Sequence, residues 1–370
     1  MRRPRWLDVR EETPGRRIAM LPLDLLSTAY GIGACAHRAA YARGPLQSAR
    51  LSCRVVSVGS LVVGGSGKTP MAAWVAKTLH HRGHRVVLAS RGYARRGRER
   101  VEVVSDGRFV SSTAEAAGDE PLLLAAHAPG VPVLVGADRG VVGMRAVSAF
   151  GAQILVLDDG FQHHRILRDL DLLCFDGNAG LGNRRVIPRG PLREFPSAVR
   201  LADALAVIDG PLHEADAALL QRFAPAAQRF QAKRRPAGVR RLAGGDCAPP
   251  RSVAGLEVGL LSGIARPDSF RRTVESLGAR VIRERRFHDH HRYRERDLRS
   301  LDQDASIWLT TEKDALKILP SWVGSADVRV VSVELVVEDA ERLCEWLEDR
   351  LREKPIGRSA ALPAAEMASW

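Results

Sequence analysis

Two short runs carry the residue types that phosphate chemistry needs. In "VVSVGSLVVGGSGKTP" an apolar run leads into a glycine-rich turn that ends in a lysine and a threonine. Gly64, Gly65 and Gly67, with Ser66 among them, would let backbone N–H groups converge on phosphate oxygens. Lys68 would reach the β- and γ-phosphates of a nucleotide, and the Thr69 hydroxyl would hold Mg²⁺. The usual pattern has a glycine five positions before Gly67, where this chain has Val62. The second run, "ILVLDDG", is apolar and ends in Asp158 and Asp159. A carboxylate at the C-terminal edge of a strand is what a P-loop enzyme needs to hold the metal, although an isolated Asp-Asp-Gly is more often a turn.

Two further stretches bear carboxylates and imidazoles. "GDEP" places Asp119 and Glu120 ahead of Pro121, which by spacing alone reads as a helix cap and an ordinary first turn. "FHDHHRY" packs His288, His290 and His291 around Asp289. Histidine and aspartate are common metal ligands, but no other His/Cys cluster accompanies them, and Mg²⁺ prefers oxygen.

These runs need strands and helices to position them. Short apolar segments at Val55–Val58, Arg85–Ala89, Val133–Val135, Ile154–Leu157, Leu172–Phe175 and Ala204–Ile208 alternate with helical stretches such as Pro70–His81, the pattern of a parallel α/β sheet. Gly259–Ser262, Ile307–Leu309 and Val328–Val337 continue it, while Asn178–Pro196 and Gln228–Arg251 read as loops or hairpins. The chain has 370 residues, 45% hydrophobic and only 5% aromatic, so its cores are expected to be aliphatic. Five scattered cysteines without a CxxC pair indicate neither a metal cluster nor a disulfide framework, and suit a reducing compartment.

The formal net charge of +13 points to an anionic partner: nucleic acid, a membrane surface or a phosphorylated substrate. An arginine-rich composition accounts for part of it. Ile18–Ala36 is apolar apart from Asp24 and is flanked by Arg16, Arg17 and Arg38. It is too interrupted for a clear membrane span and too far from the start for a simple signal peptide. A helix lying on a membrane, or one docked on the protein's own core, fits better.

Together, "VGGSGKTP", "SRGYARR", "GDEPLLLA", "LDDGFQHHRILRDLDLLCFD", "PRGPLRE", "FHDHHRY" and "TTEKDALKI" resemble, in this order, the tetraacyldisaccharide 4′-kinase family. Ser66 stands where that family usually has threonine, and His288 where it usually has proline. The resemblance implies an α/β protein, a P-loop NTPase-like α/β/α sandwich with a second, smaller α/β domain joined by a hairpin and an N-terminal membrane-associated helix. The divisions expected are 1–45 for the membrane-associating segment, 46–168 for the kinase domain, 169–352 for the second domain and 353–370 for a loose tail.

The resemblance also implies ATP-dependent phosphorylation of the 4′-hydroxyl of tetraacyldisaccharide 1-phosphate, with Mg²⁺, at the cytoplasmic face of the inner membrane. The enzyme would be peripheral or held by a single N-terminal anchor. Its partners would be the lipid disaccharide and the membrane surface; it would act as a monomer and without nucleic acid. Asp119 would be the catalytic carboxylate with His290 as its partner, alongside Lys68. Thr69, Asp158 and Asp159, with Glu194, would serve the metal. Gln162 and His163 would contact sugar, Tyr93 would shape the cleft, and Arg193 would meet phosphate, although a surface arginine is an equal reading. The "TTEKDA" segment reads as a helix start capped by Thr310 or Thr311, with no chemistry assigned.

Two other classes fit less well. A regulatory GTPase would carry an Asn/Thr-Lys-x-Asp motif, but in "TEKDALK" the residue two after Lys313 is Ala315, not an acid. A nucleic-acid-dependent ATPase would show a helix-turn-helix or an aromatic-studded RNA-binding sheet, and neither is recognisable.

Overall fold

A computed structural model describes residues 14–92, 95–97 and 99–353. The basic N-terminal residues 1–13 and the tail from 354 onward lie outside them. In chain order the strands are β1 (Arg54–Gly59), β2 (Val86–Ser90), β3 (Glu102–Ser105), β4 (Val133–Val135), β5 (Ile154–Asp158), β6 (Leu170–Asp176), β7 (Ala204–Ile208), β8 (Gln228–Arg241), β9 (Glu257–Ser262), β10 (Arg280–Arg286), β11 (Ile307–Thr311) and β12 (Asp327–Val337). The helices are α1 (Pro14–Ala19), α2 (Leu21–Ala42), α3 (Lys68–His81), α4 (Asp119–His127), α5 (Arg139–Phe150), α6 (Glu214–Phe223), α7 (Pro267–Ser276), α8 (Glu295–Leu298), α9 (Leu301–Asp304), α10 (Glu312–Ala315) and α11 (Ala340–Glu353).

All twelve strands form one sheet in the order β10-β9-β11-β12-β8-β7-β6-β1-β5-β2-β4-β3. The central strands are buried along their whole length, which is why they read as continuous apolar runs rather than alternating ones. Pairing is parallel except at the β3 edge and between β8 and β12. The N-terminal part of β8 pairs in parallel with β7, and its C-terminal part pairs antiparallel with β12. This long strand, within a stretch the sequence suggested as loop or hairpin, joins the phosphate-binding half to the half built on β9–β12. β6 lies between β1 and β7, so the sheet continues without a break past Arg168. The edge strand β3 was not expected from the sequence; it is only four residues long and half-buried.

α2 packs on the body by an unusual face. Its buried residues are Ser27 and Gly31. Ser27 Oγ donates to Val186 O at 2.7 Å and accepts from Arg189 N at 2.9 Å. Asp24 lies 3.3 Å from the buried Arg189 and also pairs with Arg185. A Cβ at position 31 would sit 2.4 Å from the Phe195 ring, so only glycine lets the helix approach there. Arg38, expected as a flanking charge, is instead turned inward to Glu194. Residues 24, 27, 31 and 38 form one helical stripe, and it is polar. Leu21, Leu25, Leu26 and Ile32 of the same helix are exposed, Leu25 at 73%. Among the described residues no helix is long and apolar enough to cross a membrane.

Candidate active site

The glycine turn joins β1 to α3. Gly64 and Gly67 have φ of 82° and 79°, a backbone region favoured by glycine, and the N-terminus of α3 carries no side-chain cap. Its first N–H groups are therefore open to an anionic ligand. Because Val58 and Asp158 are register partners in the parallel β1–β5 pair, the glycine turn and the aspartates leave the same edge of the sheet. Thr69 Oγ1 lies 3.3 Å from both Asp158 carboxylate oxygens. Lys68 Nζ is 3.9 Å from Asp159, which also accepts from Arg193 at 2.7 Å.

The electrostatics around the two aspartates differ. Burial, then the neighbouring Glu120 and Asp159, push the Asp158 carboxyl up to about 7 despite Lys68. Burial acts on Asp159 in the same direction, but Lys68 and Arg193 outweigh it and hold the carboxyl below its usual range. Burial opposes the charge of Lys68, but Asp159, Asp158 and Glu120 keep its proton affinity above the ordinary lysine value. This pocket carries more negative charge than it neutralises at Asp158, and the donors there, a hydroxyl and a carboxylate, are hard oxygens of the kind Mg²⁺ takes. Magnesium in nucleotide sites is held by one or two protein oxygens with phosphates and water. The absence of any group of three or more His, Cys, Asp or Glu set to hold a metal among the described residues is compatible with that.

A second cluster crosses from one half of the sheet to the other. Asp119 is the first residue of α4, with Gly118 as the cap, and it is buried. His290 Nδ1 lies 3.2 and 3.1 Å from its two oxygens, and Glu120 N donates to Oδ1 at 3.0 Å. Burial would raise the Asp119 carboxyl, but the His290 hydrogen bond and the charges of Lys313 and Lys317 hold it down at about 2. The hydrogen bond to Asp119 in turn raises the proton affinity of His290, against burial and Lys313. His290 has φ of 57°, as does Asp159. A left-handed backbone costs a residue with a side chain about 1–2 kcal/mol; Arg184, Asp209 and Ser300 share it elsewhere in the chain. His288, in the place where the related motif has proline, does not prevent His290 from meeting Asp119. Its ring instead lies 3.1 Å from His291, which also bonds Asp297.

Residues of both clusters line one cavity of about 1100 Å³, although Asp119 itself is buried against His290 and is not one of its walls. Lys68, Thr69, Asp158, Asp159, Gln162, His163 and Arg193 line it from the phosphate-binding half, and His290 and Lys313 from the other. Gln162 donates to Glu194 at 3.3 Å and accepts from Arg193 at 3.2 Å. Burial, then Arg139, drives the His163 imidazole down to about 4, so it is a neutral ring near pH 7. Glu194 is buried against Arg38 and Gln162 and is not a wall of the cavity. Tyr93 lies outside the described residues.

Residues the sequence reading left without a role also stand here. Thr311 caps α10 by accepting from Asp314 N at 3.1 Å, as one of the two caps suggested for "TTEKDA". The same turn delivers Lys313 to His290 and Lys317 to within 3.6 Å of Asp119. Arg266 lies beside the glycine turn, its Nε 3.3 Å from where a Cβ on Gly65 would be, and is paired with Asp176 at 2.8 Å. No local pattern distinguishes these cations from other surface charges; the i, i+4 spacing of Lys313 and Lys317 was the only available signal.

The family described as Tetraacyldisaccharide-1-P 4′-kinase matches residues 19–352. A tetraacyldisaccharide 4′-kinase of Anaeromyxobacter sp. (strain Fw109-5) is 40% identical over 359 residues, covering 94% of this chain and 96% of the relative. That of Syntrophus aciditrophicus (strain SB) is 36% identical over 351 residues, covering 88% and 93%. Among solved structures, LpxK from Aquifex aeolicus in complex with ATP superposes with a TM-score of 0.73 at 29% identity, covering 91% of this chain and 99% of that one.

Proposed function

The chain belongs to the tetraacyldisaccharide-1-P 4′-kinase family, and from that premise we propose that it transfers the γ-phosphate of ATP to the 4′-hydroxyl of tetraacyldisaccharide 1-phosphate to form lipid IVA. The glycine turn and Lys68 bind the β- and γ-phosphates of ATP. Thr69 and Asp158 would hold Mg²⁺, which would offset phosphate charge and the charge at Asp158. Asp159 is kept ionised by Lys68 and Arg193 and aligns both. His163, as a neutral ring, and Gln162 offer hydrogen bonds to the sugar.

Asp119 orients the 4′-hydroxyl and receives its proton as the oxygen–phosphorus bond forms and the bond to ADP breaks. A carboxyl held near 2 is a weak base. In a loose phosphoryl-transfer transition state the nucleophile gains little charge until late, so orientation matters more than basicity. The observation that carries this reading is that the glycine turn and His290 line one cavity, with the buried Asp119 held by His290.

α2 places the enzyme on the acceptor's membrane. Its polar stripe faces the protein and its apolar residues face outward, the arrangement of an interfacial helix. The +13 net charge favours an anionic, cytoplasmic lipid surface. The lipid acceptor accounts for the charge without nucleic acid. A phosphate-transfer assay with ATP and Mg²⁺ on tetraacyldisaccharide 1-phosphate in detergent micelles tests the reading. Label should reach the 4′-position, and Asp119→Asn should lower turnover about 10²–10⁴-fold while nucleotide still binds. Wild-type turnover in that variant would exclude Asp119 as the proton acceptor.

A further inference from the structure

Lys313 touches three members of the catalytic cluster. Its Nζ lies 3.2 Å from His290 Nε2, 3.1 Å from Asp289 Oδ1 and 4.0 Å from Asp119 Oδ2. It comes from α10, at the end of β11, whereas Asp119 starts α4 in the other half of the sheet. α10 also reaches α4 at its far end, where His127 Nε2 meets Glu312 Oε2 at 3.1 Å. The two halves are thus clamped along α4.

The 3.2 Å contact constrains where protons can be. An ammonium group has donors and no acceptor, and an imidazolium likewise. Two such groups cannot hydrogen-bond to each other, so one nitrogen must carry a lone pair. Lysine is by far the stronger base of the two, about 10.4 against 6.5 in unperturbed form. Nζ also faces the carboxylate oxygens of Asp289 at 3.1 Å and Asp119 at 4.0 Å, which are acceptors for an ammonium group. The lone pair therefore belongs to His290 Nε2, and the ring proton to Nδ1, which faces both oxygens of Asp119.

We infer that Lys313 is a positioning residue for the transfer: it fixes His290 as the neutral Nδ1–H tautomer and so aligns a donor with the ionised Asp119. The inference rests on the reading of Asp119 as the group that handles the acceptor proton. It gives "TTEKDA" a role and makes the readiness of the base depend on apposition of the two halves. Among the described residues, the charged groups shown against the His290 ring include Asp119 from α4, Asp289 from its own turn and Lys313 from α10, with Lys317 behind Asp119. Of these only the lysines oppose protonation of the ring.

Removing the Lys313 charge should therefore let His290 protonate at higher pH. In Lys313→Met and Lys313→Gln the acid limb of the kcat–pH profile should move up by about one unit. Lys313→Arg, which keeps the charge, should leave it near the wild-type position. A purely structural lysine would lower kcat at every pH without moving the limb. The tautomer is read directly from ¹⁵N-histidine resonances of the full chain in micelles, with His290→Gln giving the assignment. At pH 8 the wild-type protein should show Nε2 unprotonated and Nδ1 protonated, and this readout decides the matter even if the neutral variants do not fold. An Nε2–H or doubly protonated ring in the wild type, or an unmoved limb in a folded neutral variant, overturns the inference. Undiminished turnover in Asp119→Asn would instead remove the underlying role of Asp119, leaving the ¹⁵N result intact.

Discussion

Thr69 Oγ1 stands 3.3 Å from each carboxylate oxygen of Asp158, although the two residues are 89 positions apart. Thr69 follows Lys68 into α3 and Asp158 ends β5, and the parallel register of β1 with β5 brings them to one edge. If this pair holds the metal, Thr69→Ala and Asp158→Asn should both raise the Mg²⁺ concentration at half-maximal turnover. Asp158→Asn should in addition lower kcat about 10²–10³-fold. Mg²⁺ titrations of turnover check this; unchanged Mg²⁺ dependence in Asp158→Asn would place the metal elsewhere.

Lys68 is set among Asp158, Asp159 and Glu120 with its charge maintained against burial. Lys68→Ala should abolish nucleotide-dependent turnover, by about 10²-fold or more, and leave the far-ultraviolet circular dichroism unchanged. Near-normal kinase activity in a folded Lys68→Ala protein would sink the assignment of the glycine turn.

Glu194 pairs with Arg38 of α2 rather than lining the cavity. Removing one partner of a buried ion pair costs about 3–5 kcal/mol because the other charge is stranded. Glu194→Gln keeps the shape and should lower Tm by several degrees with little change in Mg²⁺ dependence. A raised Mg²⁺ requirement measured alongside Tm would return Glu194 to the metal.

The exposed side of α2 should be what holds the enzyme to lipid. Leu25→Glu with Ile32→Glu places two charges where apolar side chains are 73% and 60% exposed. These changes leave the Ser27, Gly31 and Arg38 contacts in place. Sedimentation with anionic vesicles should fall about tenfold or more, with soluble fold and nucleotide binding intact. Undiminished sedimentation would move the membrane contact to another surface.

Asp119 also makes a pH-dependent contribution to stability. Its folded carboxyl sits at about 2, below the 3.8 of the unfolded chain, so ionisation favours the folded state by about 2 kcal/mol. With the folded value depressed, that contribution is present above about pH 4 and is lost as pH falls toward 2. Denaturant unfolding at pH 7 should show Asp119→Asn less stable by roughly that amount. The gap should narrow below pH 4; a gap that stays constant with pH would mean the asparagine acts through packing alone.

The sequence by itself determined the parts of this protein whose cause is local. The phosphate turn was legible because Gly64, Gly65 and Gly67 are required by backbone conformation and close approach, and Lys68 and Thr69 follow on the same helix start. The buried parallel strands were legible because a strand covered on both faces is apolar throughout. Asp119 and His290 were singled out by their motifs, yet nothing local separates Asp119 from a helix cap. Only the fold decides the rest. Lys313, Lys317 and Arg266 belong to the far half of the sheet, and their charges acquire meaning beside Asp119 and Gly65, which precede them by 194, 198 and 201 positions. Arg38 looked like a flank of a membrane segment and became the partner of Glu194, because α2 docks through a polar stripe. Side-chain pairs of this kind are set by distance in space. A linear sequence records residue type and spacing along the chain, and it leaves that distance to the packing of the sheet.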